Sequence, residues 1–210
     1  MSPCTVEAMA SMPGTYKKTS ELNARTQKSA ASVLPAAILV MGVAGSGKTT
    51  AGERLALELG WPFRDADSFH LAANVAKMTA GTPLTDDDRW PWLASIAAWI
   101  DEGRQAQQPR VVSCSALKRV YRRVLLDGRP DVRLVYMKGD IQLIAARMGR
   151  RTGHFMPPTL LRSQFDTLEP PGSDEWPIVV PIELSPRRIV EHICAHMVLE
   201  IGRASCRERV

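Results

Sequence analysis

The chain has 210 residues, 45% of them hydrophobic and 23% charged, which suits one soluble-type globular domain with a full-sized core. Its net charge is +5, but residues 1–35 and 201–210 each carry +2, so the stretch 36–200 carries only +1. This distribution argues against a nucleic-acid partner, and since no apolar run approaches about 18 residues it also argues against a membrane partner.

The two ends of the chain differ from its middle. Residues 1–35 are rich in Ser, Thr, Ala and Lys without hydrophobic periodicity, which predicts a disordered leader. Residues 201–210 look like a translated sequencing adapter and are interpreted as a non-native tail, although a genuine short basic tail is the alternative. The expected folded domain is therefore 36–200.

The four cysteines show no spacing typical of metal ligands. Cys114 and Cys194 lie in apolar runs and are expected to be buried free thiols. Free thiols are typical of a reducing compartment, so we expect a cytoplasmic protein.

Apolar runs of strand length alternate with helical patterns from residue 36 onward. This alternation predicts an α/β fold with a five-stranded parallel sheet and helices on both faces. A long helix is expected to begin with Asp88 near its cap and Pro91 in its first turn, whereas the stretch before it reads as irregular. The predicted strands are 36–41, 61–64, 110–114, 132–137 and 178–182.

A phosphate-binding motif follows the first strand. Residues 42–49 read GVAGSGKT and match G-x-x-x-x-G-K-[ST], with a buried-type strand before them and a helix after them. Glycines let backbone N–H groups wrap a triphosphate, and the helix N-terminus adds positive potential. We therefore predict binding of ATP and Mg²⁺, with Lys48 reaching the β- and γ-phosphates and the Thr49 hydroxyl on the metal. The predicted nucleotide-binding residues are Gly42, Val43, Ala44, Gly45, Ser46, Gly47, Lys48, Thr49 and Thr50.

Two carboxylates, Asp65 and Asp67, end the second predicted strand. In an open parallel sheet this end faces the ligand crevice, so one carboxylate is expected near Mg²⁺ and the other near the proton of an attacking hydroxyl. No apolar strand ends in an aspartate of the Walker-B type, which leaves Thr49 and Asp65 as the predicted metal-binding residues. The alternative for the pair is a polar turn or a helix cap.

Cationic side chains occur at four further positions. Arg89 has the planar fork that suits an anionic substrate, and Lys118 follows the third strand at the same crevice edge. Arg147 and Arg151 share a helix face and suit a mobile lid that neutralises transferring phosphate, with a solvated basic face as the alternative.

With these residues the chain resembles the gluconate kinases, the small P-loop type related to shikimate and adenylate kinases. The resemblance runs from about Leu39 to Glu183, and Ala66 departs from it where these kinases usually carry glycine. It is carried by the phosphate loop, Asp65-Ala66-Asp67 with His70, Asn74 with Lys77-Met78, Gly81-Thr82-Pro83-Leu84, Asp86, Asp88-Arg89, Pro91-Trp92-Leu93, Cys114 to Lys118 with Tyr121-Arg122, Gly153-His154-Phe155-Met156, Ser163-Gln164-Phe165 and Leu168-Glu169.

The resemblance implies a three-layer P-loop kinase with a mobile lid that uses ATP to phosphorylate D-gluconate on its 6-hydroxyl, giving 6-phosphogluconate. A homodimer is implied by the resemblance alone. The expected catalytic residues are Lys48, Asp67, Arg147 and Arg151. The expected substrate-binding residues are Asp67, His70, Lys77, Arg89, Lys118, Arg122 and His154.

Two rival functions stay open from sequence. A shikimate kinase or another small-metabolite kinase shares the fold, but the block from Pro83 to Leu93 and the run His154-Phe155-Met156 disfavour it. A non-catalytic nucleotide-binding module would retain ATP binding without turnover.

Overall fold

The computed structural model describes residues 34–80, 82–149 and 158–207. Within these ranges five parallel strands form one sheet in the order β2-β3-β1-β4-β5. The strands are β1 Ala37–Met41, β2 Phe63–Asp65, β3 Arg110–Cys114, β4 Val132–Lys138 and β5 Ile178–Pro181. The predicted five-stranded parallel sheet is confirmed, and each strand boundary differs from the expectation by two residues or fewer.

The described ranges contain seven α-helices. Most lie where periodicity predicts them, but α2 falls in the stretch expected to be irregular. That helix is eight residues long, and its N-cap Leu71 makes no side-chain cap, so it carries little local signal. The helices are α1 Lys48–Leu59, α2 Ala72–Thr79, α3 Asp86–Gln105, α4 Arg119–Leu126, α5 Ile141–Gly149, α6 Pro158–Thr167 and α7 Pro186–Arg207.

The start of α3 corrects a prediction. The helix begins at Asp86 with Thr85 as its N-cap, two residues earlier than expected, and Pro91 is its sixth residue. Asp88 occupies the third helical position, where it accepts from the Thr85 amide at 2.9 Å while its own amide donates to the Thr85 hydroxyl at 3.3 Å. In this capping box the side chain of each residue accepts a hydrogen bond from the backbone amide of the other.

Alternate side chains of each strand enter two hydrophobic clusters on opposite faces of the sheet. Ile38 and Val40 of β1 pack with residues of α1 and α7, whereas Leu39 and Met41 pack with residues of α3 and α4. All four β1 side chains are fully buried. Each fully buried aliphatic side chain is worth about 1.5–3 kcal/mol, so this central strand stabilises both faces of the three-layer arrangement.

Because the strands are parallel, their carboxyl ends meet at one edge of the sheet. The phosphate loop leaves β1 there, Asp65 ends β2, and Cys114 ends β3. No helix in the described part of the chain is long and apolar enough to cross a membrane.

Candidate active site

The phosphate loop connects β1 to α1 through a left-handed glycine at the helix N-cap, Gly47. Gly45 has a φ of +76°, and a Cβ built on it would lie 2.8 Å from Met148 and 3.0 Å from Ile144 of α5. Glycine is strongly favoured there, because the left-handed backbone strains other residues and an added Cβ would displace the Met148 and Ile144 side chains.

Lys48 is the first residue of α1 and forms no ion pair with any described residue. Its charge acts on the Asp65 carboxyl and the Cys114 thiol, so the amine faces the strand ends. A lysine without a carboxylate partner beside helix N–H groups fits a polyphosphate.

Asp65 is the centre of a hydrogen-bond cluster at the end of β2. Its Oδ2 accepts from the Thr49 hydroxyl at 2.8 Å and from the Ser113 hydroxyl at 2.7 Å. Its Oδ1 accepts from the Asp67 amide at 3.0 Å, so it also caps the short 3₁₀ helix Ala66–Phe69. Asp65 can therefore cap this short helix and, with its other oxygen, still contact Thr49 of the phosphate loop.

Burial alone would raise the pKa of Asp65. The hydrogen bonds from the Asp67 amide, Ser113 and Thr49, together with the charge of Lys48, outweigh burial and hold that pKa below its usual value. Asp65 is therefore an anion at neutral pH, and its oxygen lies 2.8 Å from the Thr49 hydroxyl oxygen. This oxygen pair fits Mg²⁺, which is commonly held by one or two protein oxygens plus substrate phosphates. No group of three or more His, Cys, Asp or Glu able to hold a metal occurs among the described residues.

Asp67 and His70 lie on the next turn of chain. Asp67 is exposed, and the His70 ring stacks on Trp92 with ring centroids 4.6 Å apart. The pKa of His70 is lowered by burial and by Arg89, against an opposing contribution from Asp67. His70 is thus neutral at pH 7. The Trp92 indole donates to the Ala66 carbonyl at 2.7 Å, which fixes the 3₁₀ turn against α3.

Arg89 and Lys118 meet around one carboxylate, Asp86. The Lys118 amine donates to both Asp86 oxygens at 2.9 and 2.8 Å, and the Tyr121 hydroxyl donates to one of them at 2.5 Å. Arg89 lies 3.5 Å from the same carboxylate and 3.5 Å from the Tyr121 hydroxyl. The two predicted anion-binding cations are therefore neighbours, and their carboxylate partner was not predicted.

The structure places Arg122 away from this cleft. Its side chain is 1% exposed and donates to both Glu175 oxygens at 2.6 and 2.9 Å. The remaining nitrogen donates to the carbonyls of Ala116, Leu117 and Glu169 at 3.2, 3.0 and 2.8 Å. Every guanidinium nitrogen is thus used inside the protein, which contradicts the predicted substrate-binding role.

Lys77 also has an internal partner. Its amine lies 2.6 Å from Asp88, and with Thr85 it lowers the pKa of Asp88 to about 2. The neighbouring Asn74 side chain donates to the Asp88 carbonyl at 2.8 Å. These contacts join α2 to the capped start of α3, so Lys77 has a structural reason for its position.

Arg147 donates to the Ile182 carbonyl at 2.8 Å, which links α5 to the segment after β5. The same helix packs against Gly45 of the phosphate loop through Ile144 and Met148, so Arg147 helps to fix a helix that touches the loop. The other predicted lid residues, Arg151 and His154, lie outside the described residues.

The sequence argument assigned no role to Ser113, Asp86, Tyr121 or Gln164, although all four contact the site. The Ala44 amide donates to the Gln164 side-chain oxygen at 2.7 Å, so α6 touches the phosphate loop across 120 residues of chain. The only signal for Ser113 was its position at the end of β3. Gln164, Asp86 and Tyr121 were marked only as part of the family resemblance, because their partners are brought close only by the fold.

Comparison with known proteins places this fold and site in a class. The family model described as Shikimate kinase matches residues 44–165. A shikimate kinase from Acinetobacter baumannii, solved with shikimate, superposes with a TM-score of 0.50 at 21% identity over 82% of this chain and 98% of that one, a likeness of fold. The protein is a P-loop kinase of the shikimate kinase type, with the phosphate loop and the Asp65 cluster at the strand ends.

The more similar proteins narrow the class. Gluconokinase from Gluconobacter oxydans is 45% identical over 79% of this chain and 93% of its own length. The structure of a gluconokinase from Sinorhizobium meliloti has a TM-score of 0.73 at 41% identity, covering 83% of this chain and 98% of that one. A sugar kinase from Janibacter sp. has a TM-score of 0.70 at 46% identity over 80% and 96%. The chain belongs to the gluconokinase family and is a phosphotransferase.

Proposed function

We propose that the protein transfers the γ-phosphoryl group of ATP to the 6-hydroxyl of D-gluconate, giving 6-phosphogluconate and ADP. Family membership supports the reaction. The observation that carries the proposal is a run of hydrogen bonds along the strand ends, from Thr49 through Asp65 and Asp67 to His70, whose pKa is also lowered by the charge of Arg89. It joins a phosphate-binding half to a cationic half within one crevice.

On the phosphate side, the loop amides and Lys48 would hold the triphosphate, and Thr49 with Asp65 would hold Mg²⁺. The metal, when bound, neutralises charge on the phosphates. Lys48 would then stabilise the negative charge that develops on the phosphoryl group during transfer.

On the acceptor side, the exposed Asp67 would accept the proton of the 6-hydroxyl as that oxygen bonds to the γ-phosphorus. The bond from this phosphorus to the bridging oxygen breaks, and ADP leaves. Arg89 and Lys118 would hold the gluconate carboxylate, because a guanidinium fork and an ammonium both suit a carboxylate. His70, neutral and stacked on Trp92, would form a wall of the acceptor pocket.

Arg122 is left out of this proposed site because its side chain is 1% exposed and all its nitrogens are bound inside the protein. Lys77 pairs with Asp88 but is 45% exposed, so its substrate-binding role stays a proposal. Arg147 is retained as a residue that positions α5 against the phosphate loop. Roles for Arg151 and His154 remain proposals from the family resemblance.

The test is a coupled ADP-release assay with purified protein, ATP and Mg²⁺ over gluconate, gluconate epimers, shikimate and nucleoside monophosphates. We expect turnover with gluconate and none with shikimate. The Lys48→Ala variant is the control, and it should fold but lose turnover by orders of magnitude. Activity confined to another acceptor would overturn the substrate assignment, and ATP binding without turnover on any acceptor would favour a non-catalytic module.

We further propose that the enzyme works in the cytoplasm and forms a homodimer. The support for this compartment is that Cys114 and Cys194 are both free thiols. Cys114 is buried as expected, whereas Cys194 is only partly buried. The dimer rests on the family resemblance and is tested by sedimentation equilibrium, where a monomer mass at assay concentration would contradict it.

A further inference from the structure

Asp86 connects groups that lie on separate elements. It is the first residue of α3, whereas Lys118 is the N-cap of α4 and Tyr121 lies on the first turn of α4. Four polar contacts converge on its carboxylate, from the Lys118 amine twice, the Tyr121 hydroxyl and the Arg89 guanidinium. Asp86, Arg89 and Lys118 are each 31–43% exposed, so the cluster is accessible to solvent and is not part of the core.

The cluster brings two like charges close together. Arg89 lies 5.8 Å and Lys118 5.3 Å from the centre of the same Tyr121 ring, so both cations stand over one aromatic side chain. Without an anion between them the two cations would repel each other and separate, and each would gain rotamer freedom, because Lys and Arg have the largest side-chain entropies. A shared carboxylate removes the repulsion and selects one geometry.

The ionisation of the cluster supports this arrangement. The pKa of Asp86 is lowered, first by its hydrogen bond from Lys118 and then by the one from Tyr121, against a smaller effect of burial. The pKa of Lys118 is raised, chiefly by the same hydrogen bond from Asp86. The cluster therefore keeps one anion and two cations through the neutral range, a net charge of +1.

We propose that Asp86 is a positioning residue of the acceptor site: it holds Arg89 and Lys118 side by side as a preformed clamp for a single carboxylate. The inference rests on the proposed function, in which those two cations bind gluconate. Asp86 itself touches the cations and not the substrate. Fixing both cations before binding lowers the entropy cost of capturing the substrate carboxylate.

A simpler explanation is that Asp86 serves only the helix, since a carboxylate in the first turn is favourable next to the helix dipole. The chain offers a matched control for this explanation. Asp87 is the next residue of the same first turn, is exposed, and makes no side-chain hydrogen bond or ion pair within the part of the chain that the structure describes. Asp86→Asn and Asp87→Asn therefore remove the same charge from the same helix end, but only the first frees the clamp.

The experiment compares the Michaelis constants of the wild type, Asp86→Asn and Asp87→Asn. We expect Asp86→Asn to raise the KM for gluconate about tenfold, which corresponds to about 1.4 kcal/mol. Its kcat and its KM for ATP should stay within about twofold of the wild type, because the phosphate side is untouched. Asp87→Asn should leave all three constants within the same range.

Three results would overturn the proposal. One is an unchanged KM for gluconate in Asp86→Asn, another is the same increase in Asp87→Asn, and the third is a lower KM, which would make Asp86 a competitor for the clamp. Calorimetric titration of gluconate without ATP gives the same comparison without turnover. If the wild type turns over no gluconate, the proposed function fails and not the role of Asp86.

A second variant keeps the proposal testable if Asp86→Asn fails to fold. Tyr121→Phe keeps both cations and Asp86 but removes one hydrogen bond to the carboxylate. For Tyr121→Phe we expect a smaller increase in the KM for gluconate, about two- to fivefold. Asp86→Glu should restore part of the affinity lost in Asp86→Asn.

The pH profile gives a further readout. In Asp86→Asn the KM for gluconate should begin to rise at a lower alkaline pH, because Lys118 loses the partner that raises its pKa. A helix-only role would leave this pH profile unmoved.

Discussion

In the acceptor half of the site, different side chains are proposed to supply the proton acceptor and the cation. Asp67 is an exposed carboxylate that follows the buried Ala66, whereas Arg89 lies on α3. Both charges act on the pKa of His70, which Asp67 raises and Arg89 lowers. In the proposed site an acceptor would meet Asp67 as the proton acceptor and Arg89 as the cation.

Replacing the proton acceptor should affect the chemical step. Asp67→Asn keeps the shape of the side chain but cannot take a proton, so we expect kcat to fall by about 10²–10⁴-fold. ADP affinity should stay unchanged, since the phosphate loop is intact. Steady-state kinetics and ADP titration check this, with Asp166→Asn on the exposed face of α6 as the control. Near wild-type turnover would remove Asp67 from the mechanism.

Removing the guanidinium fork should affect substrate capture. Arg89→Ala is expected to raise the KM for gluconate roughly ten- to hundredfold, because a charged hydrogen-bond partner is worth about 1.5–3 kcal/mol. The matched variant is Arg123→Ala on α4, whose guanidinium is 67% exposed and pairs with Asp127. A change confined to the KM for ATP would show that Arg89 serves the nucleotide.

Secondary-structure elements set the shape of the phosphate loop. Helix α5 presses on Gly45 through Met148 and Ile144, and α6 reaches Ala44 through Gln164. These two helices flank the segment 150–157 in sequence. The loop geometry therefore depends on helices that come more than 90 residues after it, not only on its own glycines.

A side chain at Gly45 should disturb this contact. Gly45→Ala combines a left-handed residue, which costs roughly 1–2 kcal/mol, with a clash against α5. We expect the KM for ATP to rise at least about tenfold. Gly60→Ala is the control, because Gly60 has a similar φ of +68° at the end of α1 but no atom within 4 Å of the added Cβ. Equal losses of ATP affinity in both variants would contradict a specific role for the α5 contact.

At the scale of the whole molecule, one buried ion pair joins distant parts of the chain. Arg122 of α4 binds Glu175, which precedes β5, and the carbonyl of Glu169 beyond α6. The same guanidinium holds the carbonyls of Ala116 and Leu117 just before Lys118. The pair thus fixes the chain from which Lys118 enters the clamp, although it lies outside the cleft.

Its contribution to stability should depend on pH. Burial would raise the pKa of Glu175, but hydrogen bonds from Arg122 and the Gly172 amide lower it below its ordinary value of 4.5. Because the folded-state pKa is depressed, this stabilisation is present above pH 4.5 and is lost as pH falls through the folded pKa. The free energy of unfolding should therefore drop less between pH 7 and acid pH in Glu175→Gln than in the wild type.

Urea unfolding at neutral and acid pH measures this difference. In the same experiment Arg122→Met should lose about 3–5 kcal/mol at neutral pH, because it leaves the Glu175 carboxylate buried without its partner. Equal pH dependence in the wild type and Glu175→Gln would show that Glu175 does not contribute to acid sensitivity.

Much of this protein is determined by local pattern. The alternation of apolar strands and amphipathic helices is a short-range signal, so the parallel sheet and most helix positions follow from the sequence. The phosphate loop is likewise contiguous, and Asp65 and Asp67 are recognisable because they end a strand. The short helix α2 and the true start of α3 were missed, since α2 lacks a side-chain cap and the capping box uses Thr85 where Asp88 was expected.

The tertiary structure alone decided which charged side chains face the cleft. Arg122 and Lys118 are four residues apart and look equally suited to an anion, yet one is saturated by Glu175 and backbone carbonyls while the other joins Arg89 around Asp86. The carboxylate partners of these two cations, Asp86 and Glu175, lie 32 and 53 residues away in the chain. Local sequence specifies where a helix lies, but the pairing of charges depends on distances between elements, which exist only once the core has packed.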